Sequence, residues 1–219
     1  MSNRYQPVEL PSLVREDGGK NGRRYVTPEG HKYPSVTTIF SVNENHHLAA
    51  WRERVGEDEA RRISSRAAHR GTHIHSLCEK FIKGDTIEYI NPFYKEMWQS
   101  LQPIINQIGN VYAIEQPLYS DYLKVAGTVD CVGLWKDRLS VIDFKTSSRV
   151  KSEGDIENYF MQCAAYAVMW EERTKQPITQ LVILMAIEDE VPRIFLQHRD
   201  TWIKKFIELR GRYKALNGD

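Results

Sequence analysis

The sequence predicts an α/β (α+β) fold: a mixed central sheet flanked by helices, behind a mainly helical N-terminal portion. Three observations lead there. Helical spacing of apolar residues dominates as far as about residue 110. Short runs with strand-type alternation then take over, "VYAIEQPLY", "KVAGTVDCVGLW" and "RLSVIDFKT". A helical stretch separates these from two further strands, "QLVILMAI" and "VPRIFLQH". Helices, three strands, a helix, two strands and a helix compose one layered core. The 219 residues are read as a single domain over 1–219, with a helical front over 1–110 and a sheet-containing core over 111–219.

In chain order, residues 1–34 read as loop, punctuated by "EDGGKNG" and by Pro7, Pro11, Pro28 and Pro34, with a short hairpin in "RRYVTPEGHKY". Ser35 is placed to cap a short helix over "VTTIF", and a second helix covers 46–56. The strongest helical pattern runs from Asp58 to Lys83, with Ile63, Ala67, Ile74, Leu77, Cys78, Phe81 and Ile82 as its apolar positions and Gly84-Asp85 as its stop. Asn91-Pro92 opens another helix to about Ile108, because proline fits a first helical turn. Lys136-Asp137 turns "KVAGTVDCVGLW" into "RLSVIDFKT" as a hairpin. A helix from about Gly154 to Arg173 follows, and the last one starts near Asp200.

Composition excludes several classes. Hydrophobic residues make up 41% and charged residues 27%, ordinary for a globular chain. With a formal net charge of +1, bulk charge points to no acidic partner, so a nucleic-acid site needs local clustering. No run of 18 apolar residues exists to span a membrane, and none is expected as a partner. Cys78, Cys131 and Cys163 are scattered and odd in number, which suits reduced thiols better than a disulfide framework. The N-terminal residues lack the apolar core of a secretory signal. The expected location is therefore cytoplasmic, bacterial or in a phage-infected host, or organellar if a leader is missing.

The chemistry sits in the hairpin. In "VIDFKTSS", Asp143 and Lys145 are two apart and so share one face of a strand otherwise built from Val141, Ile142 and Phe144. Burying both charges costs several kcal/mol per ion unless they pair or bind something. The short turn brings Asp130 beside Asp143. Two close carboxylates repel, and a divalent cation removes that penalty. Oxygen ligands suit Mg²⁺ or Mn²⁺, and a neighbouring lysine can orient a water nucleophile. The alternative is a structural Asp143–Lys145 ion pair with Asp130 as a turn acid; D-x-K alone does not decide between them.

"GTVD", a gap and "DFKTS" resemble the central motif of the P-D-(D/E)-x-K nucleases. "RGTHIHSLCE" is similar to the G-x-x-x-H-x-x-x-E helix of their RecB-like branch, at Gly71, His75 and Glu79, and "QCAAY" to its Q-x-x-x-Y motif, at Gln162 and Tyr166. "YPSVTTIF" and "WRERVGE" look closest to the mitochondrial-type exonucleases of that branch and their phage and bacterial relatives. The resemblance covers about Tyr33 to Trp170. It implies a restriction-endonuclease-like core with the helical front over the site. His75, Asp130, Asp143 and the Phe144 carbonyl would be metal ligands and Lys145 would serve the water. Glu79 would fix the imidazole of His75, or else simply pair with Lys80 or Lys83. Gln162 and Tyr166, one helical turn apart, would reach a phosphate or the water, or else form an ordinary half-buried face. Thr146 and Ser147 could hold a phosphate. Glu115 is either a further acid of the site or an exposed strand residue. Lacking C-x-x-C and any cysteine after Cys163, the chain departs from branch members with an iron–sulfur cluster, so none is expected.

The substrate side rests on clustering. Arg61, Arg62, Arg66, His69 and Arg70 fall within three turns of helix, and Lys20, Arg23 and Arg24 lie upstream. Such stripes suit a phosphate backbone, or are solvated helix faces. Tyr25, Tyr33, Phe40 and Trp51 could stack bases or belong to the core. The expected activity is a metal-dependent DNA exonuclease preferring single strands with a free end. The alternatives are a catalytically silent nucleic-acid binder, or a nuclease subunit active only beside a helicase. A single-strand-binding protein is a further candidate partner. No P-loop supplies a motor within the chain.

Overall fold

The computed structural model describes residues 4–19 and 22–218, with backbone only over 43–49. A small antiparallel sheet comes first, β1 (Val14–Asp17), β2 (Arg23–Val26) and β3 (Lys32–Pro34). The β2–β3 hairpin falls where "RRYVTPEGHKY" predicts it; β1 lies in what reads as loop, because four mostly exposed residues carry no apolar alternation. Helix α1 (Val36–Val55) is one helix where the sequence suggests two. Ser35 caps it, accepting from the Thr38 N–H at 3.0 Å. Gly56, at φ 86°, then separates α1 from α2 (Glu57–Lys83), which opens on Glu57, Asp58 and Glu59 and ends at left-handed Gly84. After a 3-10 turn over Pro92–Tyr94 comes α3 (Lys95–Ile105).

The main sheet has the order β4 (Ile108–Ser120), β5 (Val125–Trp135), β6 (Arg138–Ser147), β7 (Gln180–Ile187), β8 (Arg193–His198). All neighbours are antiparallel except β6 and β7, which are parallel and therefore need a crossover; α4 (Glu157–Thr174) supplies it. The chain ends with α5 (Arg199–Asn217). This is the mixed α/β architecture the strand pattern predicts.

The strand alternation explains the layers. Ile142 and Phe144 of β6, with Val182, Leu184 and Ala186 of β7, pack against Ile74, Leu77 and Cys78 of α2 and Trp98 and Leu101 of α3. Val141, Ile183 and Met185 face the other way, toward Phe160, Cys163, Ala164 and Ala167 of α4 and Phe206 of α5. So α2 and α4 approach β6 from opposite faces. The three cysteines are buried free thiols. The small sheet docks on β5: Ser35 bridges to Ala126, and the Tyr25 hydroxyl lies 3.1 Å from Thr128 Oγ1. Tyr25 and Phe40 thus belong to the core, and Tyr33 donates to Asp121 at 2.9 Å; none of these three is an open stacking platform. Lys20 lies outside the described residues.

Candidate active site

Sheet register assembles the site. The β4–β5 pairs Ile114↔Cys131 and Gln116↔Val129 set Glu115 directly across from Asp130. On the other side, β5–β6 pairing runs to Cys131↔Ile142 and goes no further toward the next positions, Asp130 and Asp143. There the ladder opens, and the Asp130 carboxylate takes over one backbone bond: the Phe144 N–H donates to Asp130 Oδ2 at 2.9 Å. One acid from each of three adjacent strands therefore converges on the fork between β5 and β6.

Helix α2 delivers His75 to the same place. Its Nδ1 lies 3.4 Å from Glu115 Oε1 and 3.6 Å from Asp130 Oδ2, and its ring packs edge-on against Phe144. Burial opposes protonation of this imidazole, but Asp130 and then Glu115 outweigh it and push the pKa up to about 9. Glu115 adopts φ 47°, a left-handed conformation costly for a side-chain-bearing residue, in the middle of a strand. Strain at that position goes with a carboxylate brought onto His75.

Beside this group, Lys145 Nζ donates to Asp143 Oδ1 at 2.8 Å. Nζ also lies 2.6 Å from Oδ2 as an ion-pair contact, though that buried oxygen makes no hydrogen bond among the described residues. Asp143 is 1% exposed, and burial raises its pKa, with Lys145 pulling it back and Asp130 adding to the rise. Burial likewise disfavours the Lys145 ammonium, but Asp143 and Asp130 more than compensate and hold it protonated. Lys145 Nζ also lies 4.9 Å from the centre of the Tyr159 ring on α4.

Farther along α4, Gln162 Nε2 reaches the Tyr166 hydroxyl at 3.5 Å. Gly127 makes room for that phenol: a Cβ there would lie 2.8 Å from the hydroxyl and 2.9 Å from a ring carbon. Burial holds the Tyr166 pKa well above its ordinary value.

His75, Glu115 and Asp130 can each offer one ligand atom, all within 4.8 Å of one another. Nitrogen and carboxylate donors at that spacing fit a divalent cation. An open cleft leads to the group, walled by Gly71, Thr72, His75, Ser76 and Glu79 of α2, by Glu115, and by Arg15 of β1.

Several expected roles come out differently. Glu79 pairs with Lys83 at 2.7 Å, the favourable i, i+4 arrangement, and the His75 imidazole is held by Glu115 instead. Asp143 engages Lys145 and stands outside the three-residue ligand group. Phe144 contributes its N–H and its ring. Ser147 is 4% exposed and its hydroxyl donates to the Arg149 carbonyl at 2.6 Å, closing a turn, so it is not offered to a phosphate. Thr146 is half-buried beneath Gly71. In the arginine stripe, exposed Arg61 and Arg62 pair with Asp58 and Glu59 one turn earlier, and Arg66 and Arg70 both reach Glu188. Arg70 is only 5% exposed and anchors α2 to the end of β7.

A fork between two sheet strands, with acids from three strands and a lysine two residues beyond one of them, is the site plan of one nuclease class. The family model of the PD-(D/E)XK nuclease superfamily matches residues 34–209, and the chain belongs to that superfamily. Among curated proteins it is similar to mitochondrial genome maintenance exonuclease 1 of Mus musculus, 30% identical over 131 residues, covering 54% of this chain and 38% of that protein. The Homo sapiens protein of the same name is 27% identical over 129 residues, with the same coverage. The Xenopus tropicalis one is 25% identical over 177 residues, 73% of this chain and 50% of that protein. The chain thus spans at most half the length of these relatives.

Proposed function

We propose that this nuclease is a Mg²⁺- or Mn²⁺-dependent deoxyribonuclease that shortens single-stranded DNA from a free end. The observation that carries the reading is the meeting of His75, Glu115 and Asp130 next to the buried Asp143–Lys145 pair. Action from a free end is supported by the relatives, which are named exonucleases. The preference for single strands follows the branch that the His75, Gln162 and Tyr166 motifs resemble.

His75, Glu115 and Asp130 would hold the cation, beside the Asp143–Lys145 pair. When bound, it would supply positive charge to the phosphoryl oxygens and acidify a water. The protein's own groups do the rest. Lys145, kept charged by Asp143, presents an ammonium that orients the attacking water and offsets charge developing on the phosphate. Asp130 is held by its bond from the Phe144 N–H, and Glu115 lies against His75 at 3.4 Å. Gln162, half-buried and backed by the buried Tyr166 hydroxyl above Gly127, can steady the phosphate on the α4 side.

The test uses end-labelled linear single strands, linear duplexes and circular single strands, each with Mg²⁺ or Mn²⁺, and wild type beside Lys145→Met. Shortening of linear single strands by wild type alone, with circles spared, is expected. Cleavage of circles would replace the exonuclease by an endonuclease. Salt-sensitive binding without cleavage would make the protein a silent binder or one that needs a helicase partner.

A further inference from the structure

We propose that the phosphate backbone of the substrate docks on the segment just after β6, through Arg149 and Lys151, with Tyr159 positioning Lys151 beside Lys145. This docking segment rests on the nuclease reading above and says where its substrate lies.

Most cations near the site are already engaged. On α2 every arginine of the stripe faces a carboxylate. In the small sheet Arg15 and Arg23 share Asp17, and Lys32 holds Glu16. A phosphate at any of these would sit against a neighbouring carboxylate, whose negative charge opposes it. Arg149 and Lys151 make no ion pair among the described residues. The acids nearest them in sequence are otherwise engaged: Glu153 accepts from Gln197 Nε2 at 3.0 Å, and Asp155, which feels both cations only at longer range, spends one oxygen on the Ser152 N–H and hydroxyl, both at 2.8 Å, as the cap of the 3-10 turn Glu153–Ile156.

The two cations are also next to the chemistry. They follow Lys145 by four and six residues, on the exit from the same strand. Lys151 Nζ donates to the Tyr159 hydroxyl at 3.3 Å and lies 5.4 Å from the ring centre, while Lys145 Nζ lies 4.9 Å from that same centre. One tyrosine thus steadies two ammonium groups. Tyr159, Gln162 and Tyr166 stand at i, i+3 and i+7, so they share one face of α4. A long lysine side chain loses rotamer freedom when it binds; the ring has already restricted it. Arg149 is exposed and Lys151 half-buried, so a strand in the cleft can reach both.

Binding of a fluorescent single-stranded oligonucleotide, read by anisotropy in EDTA from 50 to 200 mM KCl, tests this without cleavage. Removing one cation that neutralises a phosphate should lower the slope of log affinity against log salt by about 0.7 for a single strand. Lys151→Met and Arg149→Met should each show that decrease, and Lys151→Arg should restore the slope. Tyr159→Leu should behave like Lys151→Met, whereas Tyr159→Phe, which keeps the ring, should retain most of the slope. Arg61→Met and Arg62→Met should leave it unchanged. Unchanged slopes for Lys151→Met and Arg149→Met beside a salt-dependent wild type would overturn the docking segment alone. A decrease confined to Arg61→Met and Arg62→Met would move the surface to α2. A wild type with no salt-dependent binding would overturn the nucleic-acid reading itself.

Discussion

The imidazole of His75 must be neutral to hold a cation, yet in the metal-free protein Asp130 and Glu115 push its pKa up to about 9. Metal and proton therefore compete for one site. With that pKa, about 1% of His75 is available at pH 7, a handicap of about 2.7 kcal/mol at 1.36 kcal/mol per pH unit. Raising the pH from 7 to 9 frees half of the sites, so apparent affinity for Mn²⁺ should rise roughly fiftyfold. An imidazole at the ordinary 6.5 would give a rise of only about 1.3-fold over the same range. Isothermal titration of the full chain with Mn²⁺, in two buffers of different ionisation enthalpy, reads both quantities. About one proton should be released per ion at pH 7, and His75→Asn should abolish both the release and the pH dependence. A wild-type affinity that is flat between pH 7 and 9, with no proton released, would refute the reasoning. The same shift has a folding counterpart with a defined sign. Because the folded state raises this pKa, the stabilisation in metal-free protein is complete below about pH 6.5 and is lost as pH rises through about 9.

Three substitutions probe the frame around the site. Gly127→Ala sets a methyl 2.8 Å from the Tyr166 hydroxyl, so it should cost about 1–3 kcal/mol in denaturant unfolding and lower kcat. Adding Tyr166→Ala should recover part of that stability, which a double-mutant cycle would measure. Lys145→Met leaves Asp143 buried without its ammonium and should destabilise by about 3–5 kcal/mol, while the Lys145→Met/Asp143→Asn double variant should regain much of this by chemical denaturation. Glu115→Gly should be more stable than Glu115→Ala by about 1 kcal/mol, the reverse of the usual order in a strand, because only glycine adopts the left-handed backbone freely. A melting comparison of the two checks it.

The parts legible in the sequence were those governed by local period and spacing. Alternation in β4 to β8 placed the strands, and the Lys136-Asp137 turn fixed the register that brings Asp130 toward Asp143. Motif spacing put His75 on a helix and Lys145 two residues beyond Asp143. Effects set by distant partners were not legible. Arg66 and Arg70 find Glu188 across 122 and 118 residues, which no local pattern announces, whereas Arg61 and Arg62 pair with acids only three residues earlier. Glu115 needed the register of β4 against β5 as well as a positive φ that no residue type announces in a strand. The turn over 121–124 sets the β4–β5 register and so carries half of that signal. Tyr159 and Lys151 meet only because α4 folds back over β6, and neither belongs to a spaced motif.

The opened end of the β5–β6 ladder has a consequence for how this enzyme can be dissected. Asp130 is at once a candidate ligand and the stitch that replaces a main-chain bond between two central strands. Its substitution changes the width of the sheet together with the charge at the fork, so a dead Asp130 variant reports on architecture as much as on chemistry. His75 enters from a helix and makes no such tie to the main chain among the described residues, so His75 variants are the cleaner lesion.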